Sequence, residues 1–439
     1  MDRVTAGPDG LLLGSTPRRL LSGEVHPWRI DPAHWDRVLD AMQDLGFDTV
    51  SCYVSWARHE TGPGAFDFSG ALDVRAFLAK VHQRGMLAVV RVGPNTAAEQ
   101  EDSGWPRRVL DDPACQARRP GGAPYLLATS THQSYMPSYA ATTTLAEITR
   151  WYDEVAGQLA PLQWPDGPVV ACQVDNEIGF HFQSHAFALD YHPDAVTQYR
   201  QFLGTIYDGI AALNQAYTTE HASFELVAPP TDGRCEPEQW RVDWVRFREH
   251  HLRSTLQHLA QLLRDRGLDR VVLVHNDYPR TTTPMDLGAL ESSGAVDVAG
   301  ADIYTTKEGG RFVRELARHL AGSSRLPYMA ELGTGWLTLP WLLPMRTTAL
   351  DEEHAALRAW IHGVRAANVY MLVERDRWYG SPISRTGEIR EPQASFYRRM
   401  HGMLEELDWT SLRRDAPVLI VENRDVARRV AARAVMGDV

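Results

Sequence analysis

Gly167-Pro168-Val169-Val170-Ala171-Cys172-Gln173-Val174-Asp175-Asn176-Glu177 opens on a Gly-Pro break, runs through apolar residues, and ends in two carboxylic acids flanking an amide. It is too short for a buried helix and rich in valine, so it reads as a strand covered on both faces, the kind found in parallel sheets wrapped by helices. Working outward, similar runs occur at 19–26, 49–54, 87–92, 271–275, 296–303, 328–331 and 369–373, making eight with the first. Between them, segments such as 35–45, 74–84, 145–159, 247–266 and 311–320 carry apolar residues at spacings of three and four, as amphipathic helices do. Eight strands with helical crossovers predict an α/β protein, a (β/α)8 TIM barrel.

The stretch 180–240, between the fourth and fifth strands, exceeds one crossover helix. It contains helix-like pieces at 195–207 and 210–217, and is expected to be an ordered insertion. The barrel is assigned to 1–405. The remainder, 406–439, is expected to be a strand–helix extension, with a strand at 417–421 and a helix at 425–435, that either packs on the barrel or is the truncated start of a further module.

Composition excludes several classes. The 439 residues are 44% hydrophobic and 23% charged, with a net charge of -11. That balance offers no basic footprint for nucleic acid or an anionic membrane. No apolar run reaches the length of a membrane span, and 1–15 lacks a signal-peptide pattern, so a cytoplasmic protein is expected. Cys52, Cys115, Cys172 and Cys235 are scattered, which fits reduced thiols better than a disulfide framework or a zinc site. No phosphate loop, dinucleotide fingerprint or Ser-His-Asp motif stands out, and neither cofactor nor metal is expected. A homo-oligomer is left open.

In such a barrel the loops at the C-terminal strand ends converge on the axis, and chemistry sits there. Two acids end apolar strands: Glu177, and Glu331 in Pro327-Tyr328-Met329-Ala330-Glu331. Breaking a glycosidic bond with retention needs one protonated carboxyl for the leaving oxygen and one carboxylate to attack the anomeric carbon, about 5–5.5 Å apart. Glu177 is the candidate acid/base and Glu331 the candidate nucleophile.

Around these residues the chain resembles glycoside hydrolase family 35, the β-galactosidases. Leu21-Ser22-Gly23-Glu24-Val25-His26 resembles the family's first strand, and Tyr53-Val54-Ser55-Trp56-Ala57-Arg58-His59-Glu60 its second. Arg91-Val92-Gly93-Pro94-Asn95-Thr96-Ala97-Ala98-Glu99 is similar to its third, sugar-holding segment. Asn176-Glu177, Glu331 with Gly335-Trp336, and Tyr379-Gly380-Ser381-Pro382 extend the likeness. The insertion, with Tyr207-Asp208-Gly209-Ile210-Ala211-Ala212-Leu213-Asn214, resembles family 42, as does Val174-Asp175-Asn176-Glu177.

The resemblance implies a carbohydrate substrate and an exo-acting retaining β-galactosidase. It places Tyr53, Ala98, Glu99 and Asn176 on the terminal sugar and Tyr379 near the nucleophile. Asn95, Trp336 and Trp378 complete the expected binding set, the tryptophans because their faces stack on pyranose rings. Departures stand beside the likeness. Asn95 and Ala97 replace the family's Tyr and Cys, and Glu374-Arg375-Asp376-Arg377 stands where small and aromatic residues are usual. A different glycone or aglycone, a transglycosidase, and a catalytically silent sugar-binding barrel are the alternatives. His26, His59 and His275 at strand ends read as hydrogen-bonded supports; His181 and His185 read as substrate-lining.

Overall fold

The computed structural model describes residues 3–128, 133–179, 186–277, 285–338, 346–407, 412 and 415–434. Its centre is a closed barrel of eight strands: β1 (Leu21–Glu24), β2 (Thr49–Tyr53), β3 (Leu87–Arg91), β4 (Val169–Asn176), β5 (Val272–Asp277), β6 (Val298–Ile303), β7 (Tyr328–Gly333) and β8 (Ala366–Tyr370). Every neighbouring pair is parallel, and β8 closes on β1 through Ala367 opposite Leu21. The predicted (β/α)8 architecture is therefore the observed one.

The outer face of the barrel wall is apolar because the outer helices cover it. Among them are α1 (Trp35–Asp44), α2 (Val74–Gln83), α3 (Thr142–Leu159), α4 (Glu238–Asp265), α5 (Leu287–Ser292), α6 (Gly310–Ser323), α7 (Ala349–Ile361) and α8 (Gln393–Glu406). Helix α3 shows how the pattern works: Ile148, Trp151, Tyr152, Val155 and Leu159 recur at spacings of three and four, and all are buried in the main core. Trp151 anchors that face by stacking on Trp56 and donating its indole N–H to the Val92 carbonyl at 2.8 Å.

At the N-terminal end of the barrel lies an element the sequence reading did not anticipate. Three short antiparallel strands, Val4–Gly7, Gly10–Leu13 and Thr16–Arg18, place Val4 and Leu11 against Val89, Val170, Val272 and Val298. They plug the end opposite the C-terminal ends of the strands.

The insertion is ordered where it is described. Helices Pro193–Ile206 and Ile210–Tyr217 build a second core with the first turns of α4, through Tyr199, Phe202, Leu203, Leu213, Trp244 and Phe247. The 28 residues of α4 thus serve two cores: its N-terminal part packs on the insertion, and Leu252, Leu256, Leu259 and Leu263 pack on the barrel.

Two boundaries need correction. The last strand is 366–370 rather than 369–373, because the small Ala366 and Ala367 fit where β8 passes close to β1 and β7. The expected strand at 417–421 does not form. Val418, Leu419, Ile420 and Val421 have no regular structure, pair with no strand among the described residues, and are all at least 74% exposed. The helix after it does form, as Arg424–Ala431, and seats Ala431 and Ala432 in the insertion core.

Candidate active site

The C-terminal ends of the strands carry an unusual density of buried polar groups, arranged around one guanidinium. Arg91, the last residue of β3, is 1% exposed. It donates to Glu24 at 3.1 Å, Gln173 at 3.1 Å, Asn176 at 3.0 Å and Glu331, and lies over the Tyr53 ring at 4.0 Å. A buried guanidinium is tolerable only with its donors satisfied and its charge matched, and here two carboxylates and two amide oxygens do so.

Glu331, in β7, receives donors from three directions: Arg91 Nη2, the Tyr304 hydroxyl and, at 3.3 Å, the Tyr53 hydroxyl. That surrounding suits an ionised carboxylate and fixes its orientation. Asn176 is held just as firmly. Its Oδ1 accepts from Tyr53 at 2.6 Å, Asn276 at 2.9 Å and Arg91 at 3.0 Å, while Asn95 donates to its carbonyl at 2.9 Å. With the oxygen turned inward, the Asn176 amide N–H groups are the side that can meet a ligand.

Glu177 follows directly, with φ of 43°. This left-handed turn directs the chain away from the strand, and its N–H is fixed by the Asn276 carbonyl at 3.2 Å and Oδ1 at 3.3 Å. Its carboxyl is pushed up to about 8, first by burial, then by the charges of Glu331 and Asp277, against a smaller lowering by Arg91 and a hydrogen bond with Asp302. The two strand-end acids are therefore in different electrostatic settings: Glu177 is half-buried beside like charges, and Glu331 is buried and ringed by donors. That is the arrangement that divides acid from nucleophile.

Of the other expected binding residues, Tyr53, Ala98 and Trp378 come together in one apolar cluster with Tyr370 and Met371, flanked by Tyr304. Trp378 meets Tyr370 and Tyr304 edge-on and donates its indole N–H to the Thr334 carbonyl at 2.7 Å. Trp336 and Tyr379 pair across a two-stranded rim element, Trp336–Leu337 against Trp378–Tyr379, with Tyr379 exposed. Asn95 is buried, and both ends of its amide are engaged by backbone, at Asn176 O and Ala97 N. Glu99 lies against Arg375, a buried guanidinium that also donates to the Tyr370 hydroxyl at 3.2 Å.

His26, His59 and His275 are buried and hydrogen-bonded, to Arg29, to the Ser55 carbonyl and to the Asp175 carbonyl. His181 and His185 lie outside the described residues. Among the described residues, no three His, Cys, Asp or Glu side chains are placed to share a metal ion.

Sequence reasoning missed Arg91, Tyr304, Tyr370, Arg375, Asn276 and Asp302. A signal existed for the first: a lone arginine ending the apolar run Leu87-Ala88-Val89-Val90 has to be paired or exposed. Tyr304, one residue past β6, carried no pattern of its own.

The family model of Glycosyl hydrolases family 35 matches residues 10–221. Among curated relatives, a β-1,2-glucosyltransferase of Ignavibacterium album is 30% identical over 241 residues, covering 54% of this chain and 32% of that protein. The β-galactosidase of Homo sapiens is 31% identical over 205 residues, covering 46% and 27%. That of Xanthomonas manihotis is 35% identical over 175 residues, covering 40% and 26%. The chain thus spans about a third or less of the length of these relatives. Among solved structures, the β-galactosidase of Halorubrum lacusprofundi superposes with a TM-score of 0.76 at 20% identity, covering 94% of this chain and 62% of that one. That of Rahnella sp. R3 does so with 0.74 at 15% identity, covering 95% and 61%. At such identities the superpositions speak for the barrel fold. The chain is thus similar to the glycosyl hydrolases of family 35 over a stretch that takes in the first four barrel strands, Glu177 and most of the insertion.

Proposed function

We propose that the chain is an exo-acting retaining β-glycosidase that removes a terminal β-linked sugar, galactose first among glycones, with Glu177 as acid/base and Glu331 as nucleophile. The observation that carries this reading is the contrast between the two carboxyls: Glu177 raised to about 8 by burial and like charge, and Glu331 oriented by Arg91, Tyr53 and Tyr304. In the first half-reaction the Glu177 proton passes to the glycosidic oxygen as the C1–O bond breaks, and a Glu331 oxygen bonds to C1. In the second, Glu177 takes a proton from water, which displaces Glu331 and restores the starting configuration. Tyr53, Ala98, Glu99, Asn176 and Trp378 would line the glycone subsite, with Trp336 and Tyr379 at its rim and Asn95 holding the Asn176 backbone.

A panel of aryl β-glycosides followed by proton NMR tests this. Turnover should be fastest on the galactoside, with the β-anomer released first. An α-anomer released first contradicts retention, and no turnover of any glycoside would favour a silent sugar-binding barrel.

Transfer of the sugar to an acceptor other than water is a second reading, favoured by the match to the β-1,2-glucosyltransferase. It shares the first half-reaction and is separated by adding free sugars and looking for disaccharide products. A cytoplasmic setting agrees with Cys52, Cys115 and Cys172 being buried free thiols.

A further inference from the structure

Beside the two carboxyls of the proposed mechanism lies a third, Asp302, that the mechanism has not used. It is fully buried in β6 and stands in register with Glu331 of β7. One oxygen, Oδ2, accepts from Asn276 Nδ2 at 2.7 Å. The same Asn276 holds the Glu177 N–H through its carbonyl and its Oδ1, so a single β5 residue ties Asp302 to the turn that presents Glu177. The other oxygen, Oδ1, is buried and has no partner among the described residues, and Glu177 is the neighbouring carboxyl whose titration a hydrogen bond from Asp302 lowers. Two carboxyls can share a hydrogen bond only if one of them carries the proton.

The charged and titratable groups around Asp302 are Glu177 after β4, Asp277 at the end of β5, Glu331 of β7, and Arg91 of β3; the hydroxyls of Tyr304 and Tyr328 also face it. Burial first, then the charges of Glu331 and Glu177, hold its carboxyl well above the usual range, and Arg91 offsets this only in part.

We propose that Asp302 is a positioning residue for Glu177: it keeps its own proton throughout the cycle and donates that O–H to the Glu177 carboxyl, orienting it and stabilising it once its proton has gone to the leaving oxygen. The bonds made and broken are unchanged. Asp302 neither gains nor loses a proton, and the hydrogen bond tightens as Glu177 becomes charged. The inference rests on Glu177 being the acid/base.

The test is the pH dependence of kcat/KM on an activated aryl glycoside and on an alkyl glycoside, for wild type, Asp302→Ala, Asp302→Asn and Glu177→Gln. Removing a neutral donor leaves the Glu177 carboxylate less stabilised, so Asp302→Ala should move the basic limb to higher pH. It should also slow the alkyl glycoside by about a hundredfold, and the aryl glycoside much less. Asn can still donate to Glu177 and accept from Asn276, so Asp302→Asn should keep the limb where the wild type has it, whatever its rate. A basic limb displaced to lower pH in both variants would mean that Asp302 acts as a negative charge, and would overturn the proposal. An unmoved limb in Asp302→Ala with equal loss on both substrates would also overturn it, since that describes a merely structural part. Should Asp302→Ala fail to fold by circular dichroism, the limb of Asp302→Asn decides alone. Equal loss on both substrates in Glu177→Gln instead removes the acid/base reading itself, and the proposal with it.

Discussion

Arg91 is the residue on which the site turns, since it bonds Glu24, Gln173, Asn176 and Glu331 at once. Replacing it with leucine leaves Glu24, 0% exposed, without its cationic partner. Truncating one member of such a buried pair costs about 3–5 kcal/mol, so a urea titration of Arg91→Leu should show a loss of that order together with loss of activity. Full stability in that variant would mean that Glu24 is protonated or solvated when Arg91 is gone. Tyr53→Phe is a gentler probe. It removes a hydroxyl 2.6 Å from Asn176 and 3.3 Å from Glu331, and kcat/KM should fall by about 10²-fold with little change in stability. The carboxylates and Asn176 were legible in the sequence because each ends or follows an apolar strand. The donors that orient them were not, because they come from β2, β3, β5 and β6 and converge only when the barrel closes.

Single elements explain what pattern reading saw and what it missed. Strand periodicity located all eight barrel strands, but β8 was placed late because Ala366 and Ala367 look like loop filler until β1 packs beside them. The run 417–421 has the composition of a strand and no partner to pair with, so its exposed backbone stays outside any sheet. The rim element depends on Gly380, whose φ is 78° and where a Cβ would meet the Trp336 ring at 2.1 Å. Gly380→Ala should push Trp336 from its seat, raising KM with kcat less affected. An unchanged KM would show that Trp336 does not touch the sugar. Helix α7 begins with a capping box in which Thr348 accepts from the Asp351 N–H at 3.3 Å and Asp351 accepts from the Thr348 N–H at 2.8 Å. Thr348→Ala should cost about 1 kcal/mol in a denaturant titration without altering the pH profile.

Over the molecule as a whole, burial of acids sets how stability responds to pH. Glu352, buried on α7 and bonded to the Gly335 N–H at 3.0 Å, is raised to about 7, chiefly by burial. Its folded value lies above the unfolded one, so the folded state binds more protons in between and stability falls as pH rises through about 7. Glu177, raised to about 8, acts in the same direction, so Glu352→Gln should flatten but not abolish the decline between about pH 5 and 8, as read by thermal melts. A slope identical to wild type would show that Glu352 titrates normally in the fold. Fold class was legible from the sequence because alternation of strand and helix is a property of the chain. The N-terminal plug was not, because its three strands of four, four and three residues are too short to show a period. The barrel brings β4 and β7 to one mouth, and the claim that matters most is the division of labour between their terminal acids. A 2-fluoro β-galactoside with a good leaving group slows both displacements and lets the covalent intermediate accumulate. Peptide mapping after such trapping should find the sugar on Glu331; a label on Glu177, Asp302 or Glu99 would contradict the account.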